Sequence, residues 1–216
     1  FPSLSMEAAI AKAQTTKRQD HKPVVIADQS DNIGLGGPGD ATFVLRYLLQ
    51  HDIQSVAFGI FYDPQVVQIA KIAGEGAEIQ VRLGGKMGPY SGDPLDVIAK
   101  VIVIKEGYRQ RFPQEESDPI FLDVGDTVSL RIDDIDIVVS QMRCQCFSPD
   151  VFDDLSIQST EKDIIIPKST QHFYGAFESI ASNIIYMAAP GAVPPNPLLI
   201  DYKTMPTANK YPWYEK

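Results

Sequence analysis

VVIADQSDNIGLGGPGD, residues 24–40, is the stretch on which the reading of this chain turns. Its first half is an apolar, β-branched run typical of a buried strand, and it ends in acidic and amide side chains. A glycine-rich loop follows and leads into a helix expected from about Asp40 to His51, where Val44, Leu45, Leu48 and Leu49 recur at helical spacing. Gly34, Gly36, Gly37 and Gly39 permit positive φ and allow another group close to backbone N–H donors. Asp28, Asp31, Asn32 and Asp40 surround the bend with oxygen acceptors. A strand opening at its carboxyl end onto a loop and a helix N-terminus is where α/β proteins gather ligands. The plainer alternative is a strand–helix turn with Asp40 as the helix N-cap.

Working outward, LSMEAAIAKAQT (residues 4–15) predicts a helix with Ser5 as N-cap, followed by the strand Pro23–Ala27. A second buried strand is expected over Ser55–Phe61. Asp63-Pro64 starts a third helix that ends at Gly74 or Gly76. This order suggests a parallel pair of strands joined by a right-handed crossover. Beyond Gly76, residues 77–83, 97–105 and 127–132 alternate, and 135–147 reads as one long strand, with turn clusters at GGKMGPYSGDP, FPQEESDP and DVGD. The last third returns to α/β character. Ser148-Pro149-Asp150 caps a short helix, Ile164–Ile166 is a buried strand, and a helix is expected over Phe173–Tyr186. The fold class is therefore α/β: a mixed sheet flanked by helices, with a β-rich antiparallel middle section over about 77–147. We read residues 1–216 as one domain with a proline-rich tail from about 189, packing locally through Tyr202, Tyr211, Trp213 and Tyr214.

The formal charge of −9 over 216 residues argues against nucleic acid and against an anionic membrane surface. No apolar run is long enough to span a bilayer, and no signal-peptide pattern is present. The C-x-C pair Cys144/Cys146 would share one face of a strand and is poorly spaced for a strain-free disulfide. Two reduced structural thiols fit a reducing compartment, so a cytoplasmic location is expected. The chain begins at Phe1 rather than Met, which we read as a start within a longer polypeptide or after processing.

Gly34–Gly39 formally contains G-x-G-x-x-G, but QSDNI separates it from the strand and Pro38 removes an N–H, so it is a weak dinucleotide signal. No Lys-Ser/Thr closes the glycines, which excludes a Walker loop. Lys168, Ser169 and His172 follow the strand at 164–166 and belong on the same sheet edge as the Gly-rich loop. His172 has the pKa range of a general acid/base or oxyanion donor, and a capping or surface histidine is the alternative. His21 and His51 read as solvated. The oxygen donors around the loop do not have EF-hand spacing, and no H-E-x-x-H is present. No metal site is expected within the chain; one carboxylate completing a site built elsewhere is the stronger case.

PVVIADQSDNIGLGGPGDATFVLRYLL (residues 23–49) resembles the hallmark of the C-terminal domain of MlrC (microcystinase C-like) proteins, metallopeptidase family M81. Asp28, Asp31, Asn32, Gly34, Gly36, Pro38, Gly39 and Asp40 match. Ile33 stands where the family usually has proline, and Leu35 where it usually has glycine. VRLGGK (81–86), FSPDVF (147–152), PKSTQHFYGAF (167–177) and Pro190-Gly191 are further landmarks in the same order. The resemblance implies the C-terminal part of a zinc-dependent hydrolase of peptide or amide bonds, contributing one wall of the active-site cleft. It implies zinc ligands mainly in an N-terminal metal-binding domain absent from this chain. By the same carry-over Asp31, Asn32 and His172 are catalytic candidates, and Gly34, Gly36, Gly37, Gly39, Lys168 and Ser169 are substrate-binding candidates. The implied partners are that N-terminal domain and a small peptide-like substrate, with homo-oligomerisation left open. A stand-alone module binding an anion or phosphate at the Gly-rich loop is the rival, and a structural interaction domain is a third alternative.

Overall fold

A computed structural model describes residues 3–113, 120–196, 198, 200–206 and 210. In chain order the elements are β1 (Leu4–Ser5), α1 (Met6–Thr15), β2 (Val24–Asp28), α2 (Phe43–Gln50), β3 (Val56–Tyr62), α3 (Pro64–Ala73), β4 (Glu78–Leu83), β5 (Leu95–Arg111), β6 (Phe121–Ile132), β7 (Ile135–Ser140), α4 (Asp150–Asp153), β8 (Ile164–Pro167), α5 (Tyr174–Phe177) and β9 (Asn183–Ala188). The strands form one nine-stranded sheet in the order β1-β9-β2-β8-β3-β7-β6-β5-β4. From β1 to β7 each neighbouring pair is parallel, and from β7 to β4 each is antiparallel.

The alternation of the strands divides the core into two layers. Val24, Ile26, Val56, Phe58, Ile164 and Ile166 face α1, α2 and α3. Val25, Ala27, Ala57, Ile60 and Ile165 face the other way, against Phe152, Leu155, Phe173 and Phe177. Burial on both faces explains the uninterrupted apolar runs of the parallel strands. Ser5 caps α1 by accepting from Ala8 N, and Asp63 caps α3 by accepting from Val66 N with Pro64 in the first turn. No helix among the described residues is long and apolar enough to cross a membrane.

Several expectations are corrected. The first two long strands are parallel but not adjacent, because β8 inserts between β2 and β3. The antiparallel section is continuous with the parallel sheet through β3–β7 pairing. The strand expected over 135–147 stops at Ser140, so Cys144 and Cys146 lie in the following segment, both free and buried. Burial pushes both thiols above their ordinary range. DVGD is inside β6, at a register shift where Gly125 has φ 74, rather than in a turn. The helix expected over 173–186 is only the four residues of α5, and NIIYMA becomes β9, a strand inside the sheet. Tyr211, Trp213 and Tyr214 lie outside the described residues.

Candidate functional site

Because β2, β3, β7, β8 and β9 run parallel, the segments that follow them gather at one carboxyl edge. β8 ends at Pro167, so Lys168 emerges between β2 and β3. Its side chain is 1% exposed. Lys168 Nζ lies 2.8 Å from Asp31 Oδ2 and 3.3 Å from Asp28 Oδ2. The ammonium also sits 4.5 Å from the centre of the Phe61 ring and 5.0 Å from that of Phe58. Burial alone would lower the Lys168 pKa, but the two carboxylates outweigh it and raise it, so the lysine is charged. Burial raises Asp28 and the Lys168 charge only partly offsets it. Among the described residues Asp28 Oδ1 has no hydrogen-bond partner.

Asp31 is the buried anchor of the Gly-rich loop. Oδ1 accepts from Gly39 N at 2.8 Å and Oδ2 from Ala41 N at 2.7 Å, so one side chain pins the far end of the loop. Asn32 Oδ1 accepts from Gly34 N at 2.8 Å, and its Nδ2 donates to Thr170 Oγ1 at 2.7 Å. Leu35 N and Gly37 N donate to Asn32 O, and Gly36 N to Ile33 O. The N–H groups of Gly34, Leu35, Gly36, Gly37, Gly39 and Ala41 are thus already spent within the loop. This removes the donors that an anion-binding cradle needs. The glycines serve shape: a Cβ on Gly34 would stand 2.1 Å from Gln145 Oε1. Gln145 in turn donates to Ser169 Oγ at 2.5 Å.

Asp40 does not cap α2, which begins at Phe43 behind Thr42. It turns instead to the β4–β5 turn, accepting from Lys86 N at 2.6 Å, Met87 N at 2.9 Å and Ser91 Oγ. Lys86 Nζ closes a second, partly buried charge pair with Asp63, at 2.9 and 2.7 Å from its two oxygens.

The sequence candidates separate into two groups. Asp31, Asn32, Lys168 and Ser169 are buried, and each bonds a neighbour at the edge: Asp31 and Asp28 share Lys168, Asn32 donates to Thr170, and Ser169 accepts from Gln145. His172 is exposed, with its ring 6.0 Å from Phe147 and 6.2 Å from Phe112. Sequence reasoning missed Gln145, Lys86 and Arg143, whose guanidinium donates to Gly37 O at 2.5 Å. Lys86 ends the VRLGGK landmark, behind Gly84 and Gly85 at φ 60 and 65, and that signal was there to be used. Gln145 and Arg143 fall in the stretch read as strand, which concealed their turn toward the loop.

Among the described residues no group of three His, Cys, Asp or Glu side chains is placed to hold a metal ion. The donor chemistry agrees: Asp31 is occupied by Lys168 and backbone N–H groups. These residues do not fit a metal ion by themselves.

The family model for the MlrC C-terminus matches residues 26–204. Microcystinase C of a Sphingomonas species is 34% identical over 187 residues, covering 87% of this chain and 35% of its own length. The chain therefore spans about a third of that curated relative. The crystal structure of a candidate metallopeptidase from Mesorhizobium sp. BNC1 superposes with a TM-score of 0.79 at 23% identity. It covers 100% of this chain and 42% of the other, and at that identity the likeness is one of fold.

Proposed function

The chain belongs to the family of MlrC C-terminal domains, and from that premise we propose that it forms one wall of the active-site cleft of a zinc-dependent peptide or amide hydrolase. The zinc is held by the remainder of the polypeptide, and this chain contributes positioning and polar contacts. The observation that carries the reading is the carboxyl edge itself: a loop anchored by buried charge, bordered by exposed polar groups at His172 and Arg143. Asp31 and Lys168 hold the loop in shape. Asn32 links it to the segment bearing His172, through Thr170. His172 faces outward, free to donate to or accept from a substrate peptide, and in that position would stabilise developing charge. Gly34, Gly36, Gly37 and Gly39 let the backbone lie flat where a peptide passes, and Ser169 fixes Gln145 beneath it.

The test is His172→Ala in the full-length polypeptide, with turnover of a peptide substrate and the thermal midpoint read on one preparation. Among the described residues His172 makes only ring contacts, at an exposed position, so the midpoint should stay within about 0.5 kcal/mol of stability. Loss of a charge-stabilising donor should lower kcat by a factor on the order of 10²–10³. Unchanged turnover per folded molecule would remove His172 from the site.

A further inference from the structure

Beside the Gly-rich loop, at the start of α3, lies a cavity of about 240 Å³ bordered by Asp40, Tyr62, Asp63, Gln65, Lys86 and Met87. Its two carboxylates lie behind its surface. Asp40 and Asp63 are 1% and 2% exposed, and their oxygens accept from Lys86 N, Met87 N, Ser91 Oγ, Val66 N and Gly84 N. The Lys86 side chain is 28% exposed. An ammonium carries three donors, and Asp63 accounts for two of those of Lys86, which leaves one. Gln65 is in the first turn of α3, where its backbone N–H has no carbonyl within the helix to bond. The Tyr62 hydroxyl makes no hydrogen bond to a described residue. The third Lys86 N–H and the Gln65 backbone N–H can only donate, and the Tyr62 hydroxyl can donate beside them.

We propose that this cavity is a subsite for a single carboxylate of a peptide ligand, gripped by the Lys86 ammonium and assisted by the Gln65 N–H and the Tyr62 hydroxyl. A singly charged, planar acceptor suits a cation whose charge is already shared with Asp63. A dianion such as phosphate would feel the two carboxylates behind the ammonium. Tyr62 N donates to Gly39 O at 2.9 Å, so the subsite and the Gly-rich loop share a backbone link and one ligand could lie across both. The proposal rests on the hydrolase reading only for the peptide nature of the ligand.

The experiment is a titration of this chain, followed by its ¹H–¹⁵N spectrum, with trialanine and separately with trialanine amide. The free acid should shift the Gln65, Lys86 and Met87 N–H resonances to saturation, and the amide should bind at least tenfold more weakly. Lys86→Met should weaken the free acid at least tenfold, and Gln65→Glu, which puts negative charge at the exposed mouth, several-fold. Equal response to acid and amide, no saturable shift at those three positions, or shifts produced by inorganic phosphate but not by trialanine would each overturn the proposal. If Lys86→Met loses its dispersed spectrum, Gln65→Glu decides alone, and undiminished binding by it overturns the subsite. No turnover enters the readout, so failure here is separate from failure of the hydrolase reading.

Discussion

Lys168 is the residue on which this edge most depends. A buried cation between two carboxylates is costly to assemble, yet removing one member leaves charge stranded in a low-dielectric interior. Lys168→Met should therefore destabilise the chain by about 3–5 kcal/mol, because Asp28 and Asp31 would face each other with no cation between them. The loss should depend on pH. The folded pKa of Asp28 is raised, so the folded state holds a proton that the unfolded chain has released; the stability this gives is complete below the ordinary carboxylate range and is lost as pH rises through the raised value. Without Lys168 that rise is larger, so the variant should lose more stability between acid and neutral pH than the parent does. Urea unfolding at pH 4 and pH 7 checks this, and equal destabilisation at both would show that the ammonium does not govern Asp28. The sequence placed Asp31 and Lys168 at one edge, because both follow strands of one parallel sheet. Their burial was not legible: it depends on close approaches from distant segments, such as Gly191 against Ser30, that no local pattern announces.

At the scale of elements, β2, β3 and β8 were read within a residue or two, since double-sided burial demands continuous apolar runs, whereas Leu4–Ser5, read as the start of the first helix, pair as β1. β9 was not read as a strand, because NIIYMA follows a true helical turn and is itself apolar enough to continue a helix. Only its tertiary place between β1 and β2 makes it a strand. A similar ambiguity carried β7 past Ser140, where the chain in fact leaves the sheet to bring Arg143 and Gln145 onto the Gly-rich loop. That packing between two loops can be measured. The Cβ of Gly34→Ala would collide with Gln145 Oε1, and Gln145 is held in turn by Ser169. The substitution should cost about 1–3 kcal/mol, the usual range for overpacking. Gln145→Ala removes the obstructing atoms, so the double variant should be more stable than the sum of the two single changes predicts. Strict additivity in a thermal-unfolding cycle would mean that the loop relaxes away from Gln145 and that the glycine is not required for packing there.

For the whole molecule, the distribution of exposed apolar side chains marks the edge that a further domain, as the proposed function has it, would cover. Leu35 is 58% exposed, Met87 52% and Tyr90 65%, and all three stand on the two loops that Asp40 ties together at the carboxyl edge. Clustered exposed apolar groups beside a polar site are characteristic of surfaces that become covered. Microcystinase C is roughly two and a half times as long as this chain, and the proposed function places the remainder of such a polypeptide over them. If the remaining polypeptide closes the cleft over this edge, Tyr90→Asp should have two different consequences. In the isolated chain Tyr90 is mostly in water, so its replacement should change stability by no more than about 0.5 kcal/mol. In the full-length protein the same change would bury an unpaired carboxylate in the interface and should lower the stability of the closed form by about 1–3 kcal/mol or more. Turnover should fall with it, because closure excludes water and aligns the two walls. Thermal midpoints measured for the variant in both contexts separate the cases. Equal small effects in both would leave Tyr90 in solvent in the intact protein, and the cleft would have to close along another edge of the sheet.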